Sequence, residues 1–258
     1  MQAISLYSDE ELGKRQLPRF VANWRQAKCV QAIEKYRDTF WKLVRAADHL
    51  SDAISVVRKD RHSRDPEGSA RFASALEDIP LYLDMLWVYL RVQADVFATI
   101  ASYTYEEQGT IPDESFRSHR KWFLHTRPEY DDAYTRILSS FTGWFDELAG
   151  EQPKGIRDVI IHQRGTYQLG WTVPPDDSAF RIEASLIRDS KLIHNDVIKI
   201  LRRVLHGYFA FLDSFVEHAL HRLGTVLAPP PDGSTRLYRP YFSYDLGNFP
   251  SEWLFPQI

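Results

Sequence analysis

Arg157 and His162 stand five residues apart, with Asp158 directly after the arginine, in the run Arg157-Asp158-Val159-Ile160-Ile161-His162. A guanidinium, a carboxylate and an imidazole at this spacing point to work on a phosphate. On a helix Asp158 and His162 lie one turn apart, so the carboxylate can hold one imidazole nitrogen and fix its tautomer. Arg157 and His162 differ by roughly 140° around the axis at about 100° per residue. They flank one edge and leave room for a phosphate between them or across a dimer seam. The breaker Gln152-Pro153-Lys154-Gly155 precedes the run, and Ile156, Ile160 and Ile161 are placed to anchor the turn to a core.

Other constellations compete. Arg120 to His125 has the same spacing, and Arg188 to His194, with Asp189 after the arginine, sits where the long final helix is expected to open. Glu217, His218 and His221 cluster near the end of that helix. Histidines three apart can share a metal if further ligands come from elsewhere; otherwise they are solvated or cap the helix, where cations favour its dipole. Asp84, Arg91 and Asp95 share one helical face, with Arg91 and Asp95 paired along the helix, and turned inward they become a polar core network or the wall of a site. Cys29, the single cysteine, has no activating neighbour and reads as a small, partly buried helical residue. The sequence contains no glycine-rich phosphate loop, G-x-S-x-G elbow, H-E-x-x-H helix or Glu-x-x-His diiron pair.

Three long amphipathic helices must position these groups. Ile33, Tyr36, Phe40, Leu43, Ala47, Leu50, Ile54 and Val57 form one apolar stripe, predicting a helix over about 25–59. A second begins near an N-cap at Ser69 and carries Leu76, Ile79, Leu83, Leu86, Leu90, Phe97 and Ile100, with a kink or fresh start expected at Pro80. A short link makes the two antiparallel. The third is expected over 190–223, with a stop at Gly224. A shorter helix capped by Thr126, with Pro128 in its first turn, ends at Gly150. Alternating runs on either side of Pro174-Pro175-Asp176-Asp177-Ser178 predict a β-hairpin over 166–187 that lies on the bundle. The fold class is therefore mostly α: an up-down helical bundle over 1–228 with the inserted hairpin, then an irregular aromatic and proline-rich tail, 229–258, that straps across it.

Composition sets outer limits. In 258 residues, 44% hydrophobic and 14% aromatic, there is ample material for a core, which excludes disorder for most of the chain. A net charge of −3 argues against a uniformly basic face but leaves room for a local basic groove. One cysteine excludes a disulfide framework within the chain and a cysteine-rich zinc site. The start, 1–20, lacks the apolar core of a signal peptide, and no stretch approaches ~18 apolar residues, so a cytoplasmic location with no membrane partner is expected.

The Arg157–His162 arrangement resembles the Arg-x(4–6)-His motif of HEPN-domain proteins, in which a polar residue often follows the arginine. The layout is similar too: long helices, with the motif late in the chain. The resemblance implies a metal-independent endoribonuclease, without cofactor, whose composite site forms at a homodimer interface, as in toxin or phage-defence systems. It implies that His162 serves as general acid/base at the ribose 2′-hydroxyl and scissile phosphate, that Arg157 stabilises the pentacoordinate transition state, and that Asp158 orients His162. RNA is then the partner, and DNA is not. Two other readings stay open: a non-catalytic helical module that binds RNA or protein, and a metal-dependent helical-bundle enzyme using His218 and His221.

Overall fold

The structure, a computed structural model, describes residues 27–105, 110–151, 154–163, 165–172 and 181–222. These are mostly helical. The helices are α1 (Ala27–Asp60), α2 (Pro66–Ser102), α3 (Phe116–Lys121), α4 (Asp132–Phe141), α5 (Gly143–Ala149), α6 (Ile156–Gln163) and α7 (Val197–Arg222). A π-turn, Trp122–Thr126, and a 3-10 turn, Pro128–Tyr130, lead into α4. Strands β1 (Thr166–Thr172), β2 (Arg181–Arg188) and β3 (Lys191–His194) form an antiparallel sheet in that order. The tail expected over 229–258, and Gly224, lie outside the described residues.

The stripe on α1 is realised. Tyr36, Phe40, Leu43, Ala47, Leu50 and Val57 are buried, while Lys35, Lys42, Arg45, Asp52 and Lys59 face outward. Each such apolar side chain contributes about 1.5–3 kcal/mol on burial, which is what holds so long a helix in place. On α2, Ile79, Leu83, Leu86, Trp87, Leu90 and Phe97 do the same. Pairings between the two run in opposite directions. Asp60 meets Arg71 at 2.7 Å, the His49 ring stacks on Tyr82, and Tyr36 O accepts from Gln93 Nε2 at 2.6 Å.

Several boundaries differ from expectation, each for a local reason. The second helix starts at Pro66, not after Ser69, because Asp65 Oδ1 takes the Gly68 amide at 2.7 Å and proline supplies a preset first turn. The helix also continues through Pro80. Thr126 is not the cap of the shorter helix. Asp131 is, accepting from the Tyr134 amide at 2.9 Å, and the predicted element divides at Thr142 into α4 and α5. The expected hairpin is present as the antiparallel pair β1–β2, and a third strand extends it. Asp189 and Ser190 both adopt positive φ (51° and 59°), the pattern of a two-residue type I′ turn, and return the chain as β3. The final helix consequently begins at Val197 rather than near 190, with Asp196 Oδ1 accepting from the Lys199 amide at 3.2 Å.

The described residues group into two compact units. One contains 27–40, 92–142 and 209–222; the other contains 41–91 and 143–208. The first has an aromatic core in which Phe97 packs edge-on against Phe116, Phe211 and Phe215. In the second, Ile182, Ala184 and Leu186 turn inward from β2, and Tyr167 of β1 donates to Asp84 of α2 at 2.9 Å. Burial raises the Asp84 carboxyl even though this bond pulls the other way.

Candidate functional site

Helix α6 belongs to the second unit and is fixed tightly at its start. Gly155 donates to Gly150 O at 3.0 Å and accepts from the Asp158 and Val159 amides at 3.1 Å each. A β-carbon on Gly155 would fall 2.3 Å from Ala149 N and 2.5 Å from Leu148 C, so α5 and α6 meet at a distance only glycine allows. Ile156 and Val159 are fully buried and anchor the helix. Ile161, expected to help, instead stands 45% exposed beside His162.

The structure brings Arg157, Asp158 and His162 together. Arg157 Nη1 donates to Asp158 Oδ1 at 3.0 Å and lies 3.0 Å from His162 Nε2. A guanidinium has no lone pair to offer, so Nε2 must be the acceptor, and in the neutral ring the proton sits on Nδ1. The guanidinium thus bridges carboxylate and imidazole. The arginine and aspartate side chains are 26% and 15% exposed, respectively, while His162 is open to solvent. Arg157 Nε is buried without a partner among the described residues. The sequence expectation had the two side chains flanking one edge with room for a phosphate between them. Instead, rotation of the long guanidinium arm closes the gap.

The rival pairs do not form comparable sites. Arg188 is on β2 and His194 on β3, not at a helix start, because the Asp189-Ser190 turn intervenes. Arg188 Nη1 donates to Gln163 Oε1 at the end of α6, and its Nε lies 3.5 Å from Asp189 Oδ2. His194 is half-buried, which lowers its pKa, against opposing effects of Glu147 and the Lys154 backbone. Arg120 lies in α3 and exposed His125 in the π-turn. Of the charged trio on α2, Asp84 holds Tyr167, Arg91 sits 5.0 Å over the Phe145 ring, and Asp95 Oδ1 accepts from the Phe116 amide at 3.0 Å. Cys29 lies in α1, and its side chain is outside the described residues.

The first unit contains a polar cluster that the sequence reading split into unrelated parts. Asp131 Oδ2 accepts from His218 Nε2 at 3.0 Å, from Arg222 Nη1 at 3.1 Å and from Tyr105 OH at 3.1 Å. The expectation for His218 was a solvated or capping residue. Its side chain is only 11% exposed, and its ring lies flat on Tyr134, centroids 5.8 Å apart. Burial alone would raise the Asp131 carboxyl. The bonds from His218, the Tyr134 amide and Tyr105, with the charge that His218 carries when protonated, instead hold it well below the usual carboxylate range. Beneath this, Tyr134 OH meets His119 Nε2 at 3.0 Å, and His119 Nδ1 bonds Pro112 O at 3.0 Å. Glu217 is exposed, and the His221 side chain is outside the described residues.

Among the described residues no group of three or more His, Cys, Asp and Glu is arranged to hold a metal ion, and no helix is long and apolar enough to cross a membrane. The class of protein defined here is a mostly α-helical chain with a small antiparallel sheet and an Arg/Asp/His site on a short helix. Comparison with protein-family models, with curated proteins and with solved structures finds no match to this chain.

Proposed function

We propose that the chain is a HEPN-like, metal-independent endoribonuclease that acts as a homodimer on RNA in the cytoplasm, in the manner of a toxin or phage-defence nuclease. The observation that carries this reading is the direct approach of Arg157 Nη1 to His162 Nε2, at 3.0 Å, with the imidazole open to solvent. A phosphodiester taken by Arg157 Nη2 stands next to the imidazole. As it docks, the phosphate draws the guanidinium away and frees Nε2 to take the proton of the 2′-hydroxyl. The 2′-oxygen bonds to phosphorus, the bond from phosphorus to the 5′-oxygen breaks, and the leaving oxygen collects a proton from an imidazolium. Arg157 neutralises the charge gathered on the pentacoordinate phosphorus, and Asp158 holds the guanidinium in position. The products are a 2′,3′-cyclic phosphate and a 5′-hydroxyl. DNA, lacking the 2′-hydroxyl, is not cut.

The test is RNA cleavage in EDTA. His162→Ala lowers the rate by about 10²–10⁴-fold and Arg157→Ala by about 10²–10³-fold, both with unchanged helical content. Undiminished cleavage by both variants removes the assignment. A second reading, a non-catalytic module that binds RNA or protein, is favoured by the Arg157–Asp158 pair, which neutralises the guanidinium at rest. It predicts RNA binding that survives His162→Ala and no cleavage by the unmodified chain.

A further inference from the structure

The carboxylate-held imidazole expected at His162 is present at His218. Asp131 takes the Nε2 proton of His218, which leaves Nδ1 as the nitrogen with the lone pair in the neutral ring. Nδ1 has no hydrogen-bond partner among the described residues. Arg222 follows four residues later on the same face of α7 and donates only Nη1 to Asp131. Its guanidinium is seated on the Tyr105 ring, 4.3 Å from the centroid, and the side chain is 35% exposed. His218 and Arg222 each contact the same carboxylate oxygen, so no more than about 6 Å separates the two bonded nitrogens. A purely structural network would use up its donors and acceptors, whereas among the described residues this one leaves a base nitrogen and most of a guanidinium fork without a partner.

We propose that Asp131, His218 and Arg222 form a second binding site, which takes a phosphate group with a neighbouring hydroxyl, as in a ribonucleoside 3′-phosphate. Arg222 offers its remaining N–H groups to two phosphate oxygens, a planar match that ammonium groups lack. His218 Nδ1 accepts from the 2′-hydroxyl. Asp131 is a positioning residue: it fixes the tautomer of one group and the orientation of the other. The site lies within the first unit and shares no residue with Arg157 and His162.

Calorimetric titration of the full chain tests this, using 3′-AMP, 2′-deoxy-3′-AMP and a short RNA ending in a 3′-phosphate. The chain binds 3′-AMP about tenfold more tightly than its deoxy analogue, the worth of one hydrogen bond to a buried ring. Binding persists in the Arg157→Ala/His162→Ala double variant, which separates it from the proposed nuclease site. His218→Gln keeps an amide nitrogen where Nε2 stands, retaining the bond to Asp131, and abolishes the preference for the ribo form. Arg222→Gln weakens both mononucleotides by about tenfold or more. Tighter binding of the RNA than of 3′-AMP identifies an RNA end as the ligand, and equal binding identifies a free nucleotide. Three results overturn the proposal: no binding of either mononucleotide at millimolar concentration, a ribo preference that survives His218→Gln, or binding that disappears with Arg157 and His162.

Discussion

His119 is wholly buried, with both ring nitrogens bonded, to Pro112 O and Tyr134 OH. Burial pushes its pKa down from 6.5 to about 4, against smaller opposing effects of the Pro112 carbonyl and Asp113. Between those values the unfolded chain binds a proton that the folded chain refuses. Its contribution is therefore complete above pH 6.5 and is lost as the pH falls toward 4, by about 3 kcal/mol over the window. Urea denaturation at a series of pH values measures it. The midpoint drops across this range, and His119→Gln, which cannot titrate, flattens the drop. A wild-type midpoint unchanged from pH 7 to pH 4.5 contradicts the buried neutral ring. Asp131 acts in the same direction at lower pH, since its depressed carboxyl contributes fully above the ordinary value of 3.8 and loses that contribution as acid protonates it. At this scale the sequence is readable only over short separations. The Arg157–His162 spacing is visible because one helix holds both. The Asp131–His218 bond joins residues 87 positions apart, and no spacing rule reaches that far.

At the scale of elements, periodicity revealed the helices and misled at their edges. Burial every three or four residues is a strong signal over α1, α2 and α7, because a long stripe averages out local noise. Caps are single-residue events, and more than one serine, threonine or aspartate competes at each end; Asp65 and Asp131 won over Ser69 and Thr126. Strand β3 escaped notice since Lys191–His194 spans only four residues and runs into a helical pattern. Gly155 is the element-scale feature on which the proposed nuclease site depends. Gly155→Ala places a methyl group 2.3 Å from the backbone of Ala149, and backbone atoms cannot swing aside as a flexible side chain would. The variant is expected to lose about 1–3 kcal/mol of stability, the usual cost of overpacking. Cleavage should fall with it, because the start of α6 must shift and Arg157 is the second residue of that helix. Thermal melting together with the RNA assay checks this. A stable variant with full activity means the α5–α6 junction does not position the site.

At the scale of the whole molecule the question is whether one copy is enough. A net charge of −3 gives no general attraction for RNA, so affinity must come from a few well-placed cations. One copy of the site offers a single guanidinium, partly neutralised by Asp158, and a single imidazole in contact with it. General-base and general-acid roles at opposite sides of phosphorus call for two imidazoles or for one that moves between them, and two copies of α6 facing one phosphodiester supply two of each group. Chains carrying Arg157→Ala and His162→Ala, each inactive alone, separate these cases when refolded together. A mixed dimer retains one arginine from one chain and one histidine from the other. In a composite site these meet at the same phosphate, and a measurable fraction of the wild-type rate returns. Where each chain works by its own Arg157–His162 pair, no mixed dimer contains an intact pair and nothing returns. Mixed dimers verified by differential tags that remain inactive would sink a composite site in which one imidazole serves both roles, and a chain that stays monomeric while cutting RNA at full rate would sink any composite site.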